Sequence, residues 1–126
     1  MNRITEIEIA GRKYPLNFST KAAKEVAKRY GDISNISEAF TGKSTDEMMD
    51  EAIWILALLI DQGVAYKKIV ENEEVKGLTT EELEVVMGVF DFTNLKNTIL
   101  GAMTAGMSRE VEVEIDPKNE KTTQDK

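Results

Sequence analysis

Acidic side chains are the residues of this chain whose number and grouping could support chemistry. They form three clusters: Asp46, Glu47, Asp50 and Glu51; Glu71, Glu73 and Glu74; and Glu81, Glu82 and Glu84. Calcium requires oxygen ligands at alternating loop positions, with a glycine turn and a closing glutamate, and none of the clusters has that spacing. The first and third clusters stand where helices are predicted to begin, so the helix dipole accounts for their charge. We therefore predict capping or solvated acids and no metal site.

The chain contains no cysteine and no histidine. This removes thiolate chemistry, the commonest general base and the commonest metal ligand. A carboxylate pair doing glycosidase chemistry would need aromatic sugar platforms, but the aromatic residues are spread among predicted core positions. Lys67 or Lys68 would need burial to become a nucleophile, and both lie in a strongly polar stretch. We predict a non-enzymatic protein without a cofactor.

The tripeptide Gly42-Lys43-Ser44 resembles the end of a phosphate-binding loop. That motif also requires a glycine five residues before Gly42, where this chain has Ser37. We interpret the match as chance.

The charge balance disfavours two classes of partner. The 126 residues include 16 basic and 23 acidic side chains, a formal net charge of −7, which repels nucleic acids and anionic membranes. The longest apolar run, 52–60, is far shorter than the roughly 20 residues that span a bilayer. Glu6 and Glu8 interrupt any signal-peptide core at the start. We expect a soluble, cytoplasmic protein.

Residues 3–18 are predicted to form a β-hairpin. Apolar residues alternate with polar ones on both sides of a turn at Gly11, as in half-buried strands. Pro15 lacks an N–H group, so the return strand should lie at an edge of the sheet. The alternating apolar residues are Ile7, Ile9, Tyr14, Leu16 and Phe18.

Capping residues predict where the helices begin and end. Ser19 should begin the first helix and Gly31 should end it, with a short helical segment over 32–40. Capping boxes at Ser44 and Thr79 predict two further helix starts, the second with Leu78 and Leu83 as a hydrophobic staple.

The apolar patterns predict how these helices pack. The run 52–60 is apolar on all sides and should form the buried central helix, with an end or a hinge at 61–63 and a further short helix over 64–70. After Thr79, an apolar stripe consists of Leu83, Val86, Met87 and Phe90. A break at 91–93 precedes a final helix whose apolar face is Leu95, Ile99, Ala102, Met103, Gly106 and Met107.

Together these elements predict an α+β fold that is predominantly helical, with the N-terminal hairpin packed on a bundle of about five helices. Residues 1–108 are predicted to form a single globular domain. Residues 109–126 are predicted to be a strand-like segment, 110–115, followed by a polar C-terminal tail.

Two groups of residues are candidates for binding another protein. Methionines adapt to varied surfaces, so Met48, Met49, Met87, Met103 and Met107 either belong to the core or line a binding groove. Val111, Val113 and Ile115 alternate with glutamates and could pair with a partner's sheet edge or with this chain's own hairpin. The basic stripe either contacts acidic partners or is a solvated face that pairs with the chain's own acids; it consists of Lys21, Lys24, Lys28 and Arg29.

The order of these signals resembles the small tail assembly chaperones of long-tailed bacteriophages (siphoviruses) of Gram-positive hosts. The resemblance covers roughly residues 4–107. It is carried by the hairpin 7–18 (IEIAGRKYPLNF), the helix end 30–33 (YGDI), the end of the apolar helix at 59–63 (LIDQG), and the helix start 78–83 (LTTEEL).

The resemblance implies a protein that binds the long, aggregation-prone tape-measure protein, keeps it soluble, and helps to recruit tail-tube subunits. It implies action in the cytoplasm of the bacterial host and absence from the mature virion. Self-association would be compatible with that role. The alternative hypothesis is an acidic regulator or nucleic-acid mimic that blocks a basic partner, although 16 basic residues dilute its acidic character.

Overall fold

The computed structural model describes residues 3–107 of the chain. The described part has the predicted α+β, predominantly helical architecture, with an N-terminal antiparallel hairpin followed by helices. The predicted strand-like segment and tail, including Val111, Val113 and Ile115, lie outside the described residues. The elements are β1 (Thr5–Ile9), β2 (Arg12–Leu16), α1 (Thr20–Tyr30), a first 3₁₀ helix (Ile33–Phe40), α2 (Thr45–Val70), α3 (Thr80–Val86), a second 3₁₀ helix (Val89–Phe92) and α4 (Leu95–Gly106).

The hairpin closes through a two-residue turn at Ala10 and Gly11. Both residues have positive φ, 53° and 80°, which matches the twist of tight hairpins. Among the described residues the sheet has two strands, so both are edge strands, and Pro15 sits opposite Glu6 as an edge position allows. The turn therefore fixes a register in which Ile7 pairs with Tyr14.

Helix α2 is the central element, as its apolar run predicts. Its middle section contributes seven buried residues to the core: Ala52, Ile53, Ile55, Leu56, Leu59, Ile60 and Gly63. At its start, the Ser44 backbone N–H donates to the Glu47 carboxylate over 3.1 Å. The predicted end or hinge at 61–63 is wrong, because one helix of 26 residues runs through these positions to Val70.

Helix α2 has a glycine at position 63 because β2 crosses the helix at that point. A Cβ atom on Gly63 would lie 2.1 Å from the carbonyl oxygen of Pro15. Just beyond the strand, the Asn17 backbone N–H donates to the Leu59 carbonyl over 3.1 Å, and the Asn17 side-chain amide donates to the Gln62 carbonyl over 3.2 Å. The glycine therefore permits close approach and does not end the helix.

Helix α4 approaches the same segment from its own C-terminal end. A Cβ atom on Gly106 would lie 2.5 Å from the Cβ of Phe18 and 2.6 Å from its carbonyl oxygen. Leu16 and Phe18 are buried between these contacts. The segment 15–18 is thus packed against α2 at Gly63 and against α4 at Gly106.

The predicted caps of α1 are confirmed. The Ser19 hydroxyl accepts from the Ala22 backbone N–H over 3.1 Å, and Gly31 adopts the left-handed conformation that ends the helix, with φ of 88°. Ser19 also donates to the side chain of Gln62, which links the start of α1 to α2.

Helix α3 begins at its predicted capping box but ends earlier than its apolar stripe predicts. The helix stops at Val86, Met87 turns into an extended conformation, and the Asp91 carboxylate accepts from the Gly88 backbone N–H over 2.7 Å. The continuous stripe to Phe90 is therefore wrong: Leu83 and Met87 are buried, whereas Phe90 is 87% exposed.

The final helix packs through its predicted face. Leu95, Ile99, Ala102 and Met103 are buried. The break before this helix begins at Met87 and Gly88, ahead of the predicted 91–93, because the second 3₁₀ helix intervenes. Across residues 3–107, none of the helices combines the length and the apolar character that crossing a membrane requires.

Two glycines provide a matched test of the close approach at α2. Gly63→Ala should lower the free energy of unfolding by about 1–3 kcal/mol or more, because a backbone must move to admit the methyl group. Gly101→Ala, in the interior of α4 with open space around it, should raise it by about 0.5–1 kcal/mol. Urea denaturation measures both. Equal stabilisation by the two substitutions would contradict the packing at Gly63.

Thr79 provides a test of the start of α3. Its hydroxyl accepts from the Glu82 backbone N–H over 3.1 Å, and the Glu82 carboxylate accepts from the Thr79 N–H over 3.0 Å. Thr79→Ala removes the first bond and should cost about 0.5–2 kcal/mol of the free energy of unfolding. Thr79→Ser keeps the acceptor and is the control. Unchanged denaturation midpoints for the alanine variant would argue against this cap.

Candidate protein-binding surface

Large apolar side chains are exposed in the last turn of α3 and just after it. Val85, Val89 and Phe90 are 83%, 70% and 87% exposed, and Val86 is 38% exposed. We call these four residues the apolar ridge. Clustered exposed apolar residues of this kind mark interaction sites in folded proteins, whereas scattered ones do not.

Two neighbouring pockets lie at the start of α2, and Val89 of the ridge lines the first of them. The first, of about 240 Å³, opens between the start of α2 and the α3 region, and its apolar walls are Met49, Ile53, Leu83, Met87, Val89 and Phe92. The second, of about 260 Å³, opens between α2, the first 3₁₀ helix and α4, and its apolar walls are Phe40, Met48, Met49, Ala52, Phe92 and Leu95. Met49 and Phe92 line both pockets, so the two are neighbours. We call the pair the methionine groove.

The groove carries charge mainly at one end. Asp46, Asp50 and Glu84 line the first pocket. The second pocket has Lys96, whose ammonium lies 5.9 Å from the centre of the Phe40 ring. An acidic rim therefore flanks the pocket that adjoins the ridge.

The structure brings together three of the five candidate methionines. Met48 and Met49 are half-buried walls of the groove, and Met87 is a buried core residue that also lines it. Met103 is 4% exposed and belongs to the core. Met107 is exposed at the far end of α4, whose 12 residues place it about 18 Å from the groove residue Leu95.

The apolar ridge itself was missed from the sequence. Val86 and Phe90 belong to the predicted core stripe, which places Phe90 inside, and Val85 and Val89 lie off that stripe. The available signal was Gly88 with Asp91 three residues later, a pattern in which an aspartate caps a new helical turn.

A polar cluster joins α1 to α2 away from these pockets. The Arg29 guanidinium donates two bonds to the Glu51 carboxylate, over 2.9 and 3.2 Å, and the Tyr30 hydroxyl donates to the same carboxylate. Arg29 also lies 4.3 Å from the centre of the Trp54 ring, which meets the Tyr30 ring edge-on. The cluster holds the two helices together through bidentate and cation–π contacts.

The protonation states of this cluster suit a structural role. Hydrogen bonding to Arg29 lowers the pKa of Glu51, and burial together with the bond to Glu51 raises the pKa of Tyr30 well above its usual range. At neutral pH the carboxylate is charged and the phenol is protonated. Neither group is poised to exchange a proton near neutral pH, as a general acid or base should be.

The basic stripe of α1 is partly engaged with acids of the same chain. Arg29 pairs with Glu51, and Lys28 lies 3.8 Å from the Glu25 carboxylate. This agrees with the interpretation of a solvated face that pairs internally. In the part of the chain that the structure describes, no group of three or more acidic side chains is placed to hold a metal ion.

Comparison of the chain with protein-family models, curated proteins and solved structures finds no match. Its own residues are therefore the basis for assigning a function. Among them, the apolar ridge adjoins the first pocket of the methionine groove, which makes this surface the candidate binding site.

Glu51 allows a pH test of the polar cluster. Its pKa is lowered in the folded state, so its contribution to stability is present above its ordinary value of 4.5 and is lost as the pH falls through the folded pKa. Glu51→Gln should cost about 1 kcal/mol at neutral pH, since solvent partly screens the pair.

The difference in the free energy of unfolding between the wild type and Glu51→Gln should shrink as the pH falls below 4.5 and through the folded pKa of Glu51, as urea denaturation at each pH would show. Glu38→Gln, at an exposed position, is the matched control and should change stability by less than about 0.5 kcal/mol. A difference for Glu51→Gln that stays constant down to low pH would rule out the charged pair as its cause.

Proposed function

We propose that this protein is a non-enzymatic tail assembly chaperone of a long-tailed bacteriophage. It binds the tape-measure protein, keeps that protein soluble and promotes assembly of tail-tube subunits around it. The observation that carries the proposal is the apolar ridge beside the methionine groove. The resemblance of residues 4–107 to that class of chaperones supplies the identity of the partner.

The ridge supports binding to a polypeptide. Phe90 and Val85 are more than four-fifths exposed, although burial of one such side chain is worth about 1.5–3 kcal/mol. The fold forgoes that stabilisation at several neighbouring positions. A partner that covers the ridge buries these side chains, so their burial free energy stabilises the complex.

The groove supports a partner with varied segments. Met48, Met49 and Met87 have flexible, polarisable side chains that repack around different apolar groups. A chaperone that holds a long protein meets many different segments of it. Rigid walls of branched residues would fit fewer of them.

The charge of the chain supports a holding role in the host cytoplasm. A net charge of −7 opposes association of loaded complexes and disfavours contact with nucleic acids and anionic membranes. The role needs no cofactor, and the chaperone leaves before the virion is mature. The rival hypothesis, an acidic mimic, explains the charge and leaves the ridge without a purpose.

Co-expression tests this proposal. The wild type should increase the soluble fraction of the tape-measure protein encoded by the same genome. Phe90→Ser should weaken binding by about tenfold or more without a change in thermal stability, because it removes an exposed contact. Ile69→Ser is the matched control. Ile69 is 79% exposed near the C-terminal end of α2, whereas the groove lies at the start of that helix, so this variant should retain full holding activity.

The outcomes separate the two hypotheses. A tape-measure protein that stays insoluble with the wild type would overturn the chaperone. A stoichiometric complex with a DNA-binding enzyme, unaffected by Phe90→Ser, would support the acidic mimic in its place.

A further inference from the structure

The two pockets of the methionine groove lie on adjacent faces of α2. The first uses Asp46, Met49, Asp50 and Ile53, and the second uses Thr45, Met48, Met49 and Ala52. Each set follows the i, i+3, i+4, i+7 spacing of one helix face, displaced by one residue. The groove therefore runs across the start of α2, with Met49 and Phe92 between its two halves.

The walls of the groove suit a helix and not an added strand. A bound strand needs an exposed sheet edge with free N–H and C=O groups. These walls come from α2, α3, α4 and the two 3₁₀ helices, whose backbone groups are largely occupied within the helices. A helix satisfies its own backbone and offers apolar side chains one turn apart, which suits two adjacent apolar pockets.

The acidic residues favour a helix that is basic where it lies beside the first pocket, whereas the second pocket has Lys96. Asp46, Asp50 and Glu84 surround the first pocket, and all three side chains are exposed. When an apolar side chain of the bound helix fills the first pocket, a lysine or arginine next to it in that helix would lie near these carboxylates. An acidic helix would meet repulsion at the same positions.

Charge also weighs against two other occupants. A symmetric second copy would place the acidic rim against itself or against another part of a chain of net charge −7. The chain's own segment 110–115 alternates its apolar residues with three glutamates, which would approach the same rim. In a symmetric dimer centred on the groove the rim would face itself, whereas a different, basic partner presents opposite charge to it.

We infer that the methionine groove binds one face of a basic amphipathic helix. Two apolar side chains of that helix fill the two pockets, and its lysines or arginines face Asp46, Asp50 and Glu84. Phe90 and Val89 of the ridge cover the side of the bound helix next to the first pocket. This inference rests on the proposed function, of which it specifies the chemistry of the bound segment.

Synthetic peptides test the inference without the tape-measure protein. The probes are three labelled peptides of about 18 residues, roughly five helical turns: an amphipathic Leu/Lys helix, the same peptide with Glu in place of Lys, and a Leu/Lys peptide whose order breaks the apolar stripe. Fluorescence anisotropy should show the Leu/Lys helix binding at least about tenfold more tightly than either of the others, since each lacks charge or shape complementarity. The preference over the Glu peptide should fall between about 0.1 M and about 1 M salt.

Two charge variants locate the site. Asp46→Asn/Asp50→Asn/Glu84→Gln should lose most of the preference for the basic helix. Glu71→Gln/Glu73→Gln/Glu74→Gln removes as many charges at and just beyond the C-terminal end of α2, where Glu71 lies about 32 Å along the helix from Asp50, and should keep the preference. Circular dichroism confirms that both variants are folded.

Equal binding of the basic and acidic peptides, or equal loss in both charge variants, would overturn the inference. So would a dimer, detected by sedimentation, whose formation prevents the basic peptide from binding. If the protein keeps the tape-measure protein soluble but binds the three peptides equally well, this inference alone is refuted. If the protein prefers the basic helix but does not keep the tape-measure protein soluble, the proposed function alone is refuted.

Discussion

The segment from Pro15 to Phe18 lies against two helices at distances that leave no room for a side chain on either one. Gly63 of α2 and Gly106 of α4 are the contact points, and a Cβ atom at either position would lie within 2.6 Å of the segment. The Asn17 backbone N–H bonds to the Leu59 carbonyl at the same place. This contact sets the positions of the hairpin, α2 and α4 together, and so places Leu95, at the start of α4, in the wall of the methionine groove.

The second constraint is local and acts at the end of α3. Met87 leaves the helical conformation and Asp91 caps Gly88, so α3 ends one turn before its apolar pattern does. Leu83 and Met87 remain in the core, while Phe90 and Val89 turn outward. The glycine contacts and the Arg29–Glu51 pair therefore hold the fold, and the end of α3 supplies exposed apolar surface.

Much of this fold could be predicted because its signals are local. Ser19, Gly31 and Thr79 act on backbone groups within a few residues of themselves, so a single stretch of sequence contains both partners. The candidate site was predicted less completely. Met48, Met49 and Met87 were identified by residue type, whereas Met103 and Met107 have the same chemistry and lie elsewhere.

The sequence by itself determined the hairpin, the helix starts, the buried central helix, and the acidic, cysteine-free and histidine-free composition. These follow from residue type and from spacings of two to four residues. Only the tertiary structure decided that Gly63 continues a helix and that Phe90 faces solvent. Each depends on what lies opposite in space: the Pro15 carbonyl meets Gly63, and a turn at Gly88 removes Phe90 from the core face. A periodic pattern describes one face of an element and carries no information about which partner covers it.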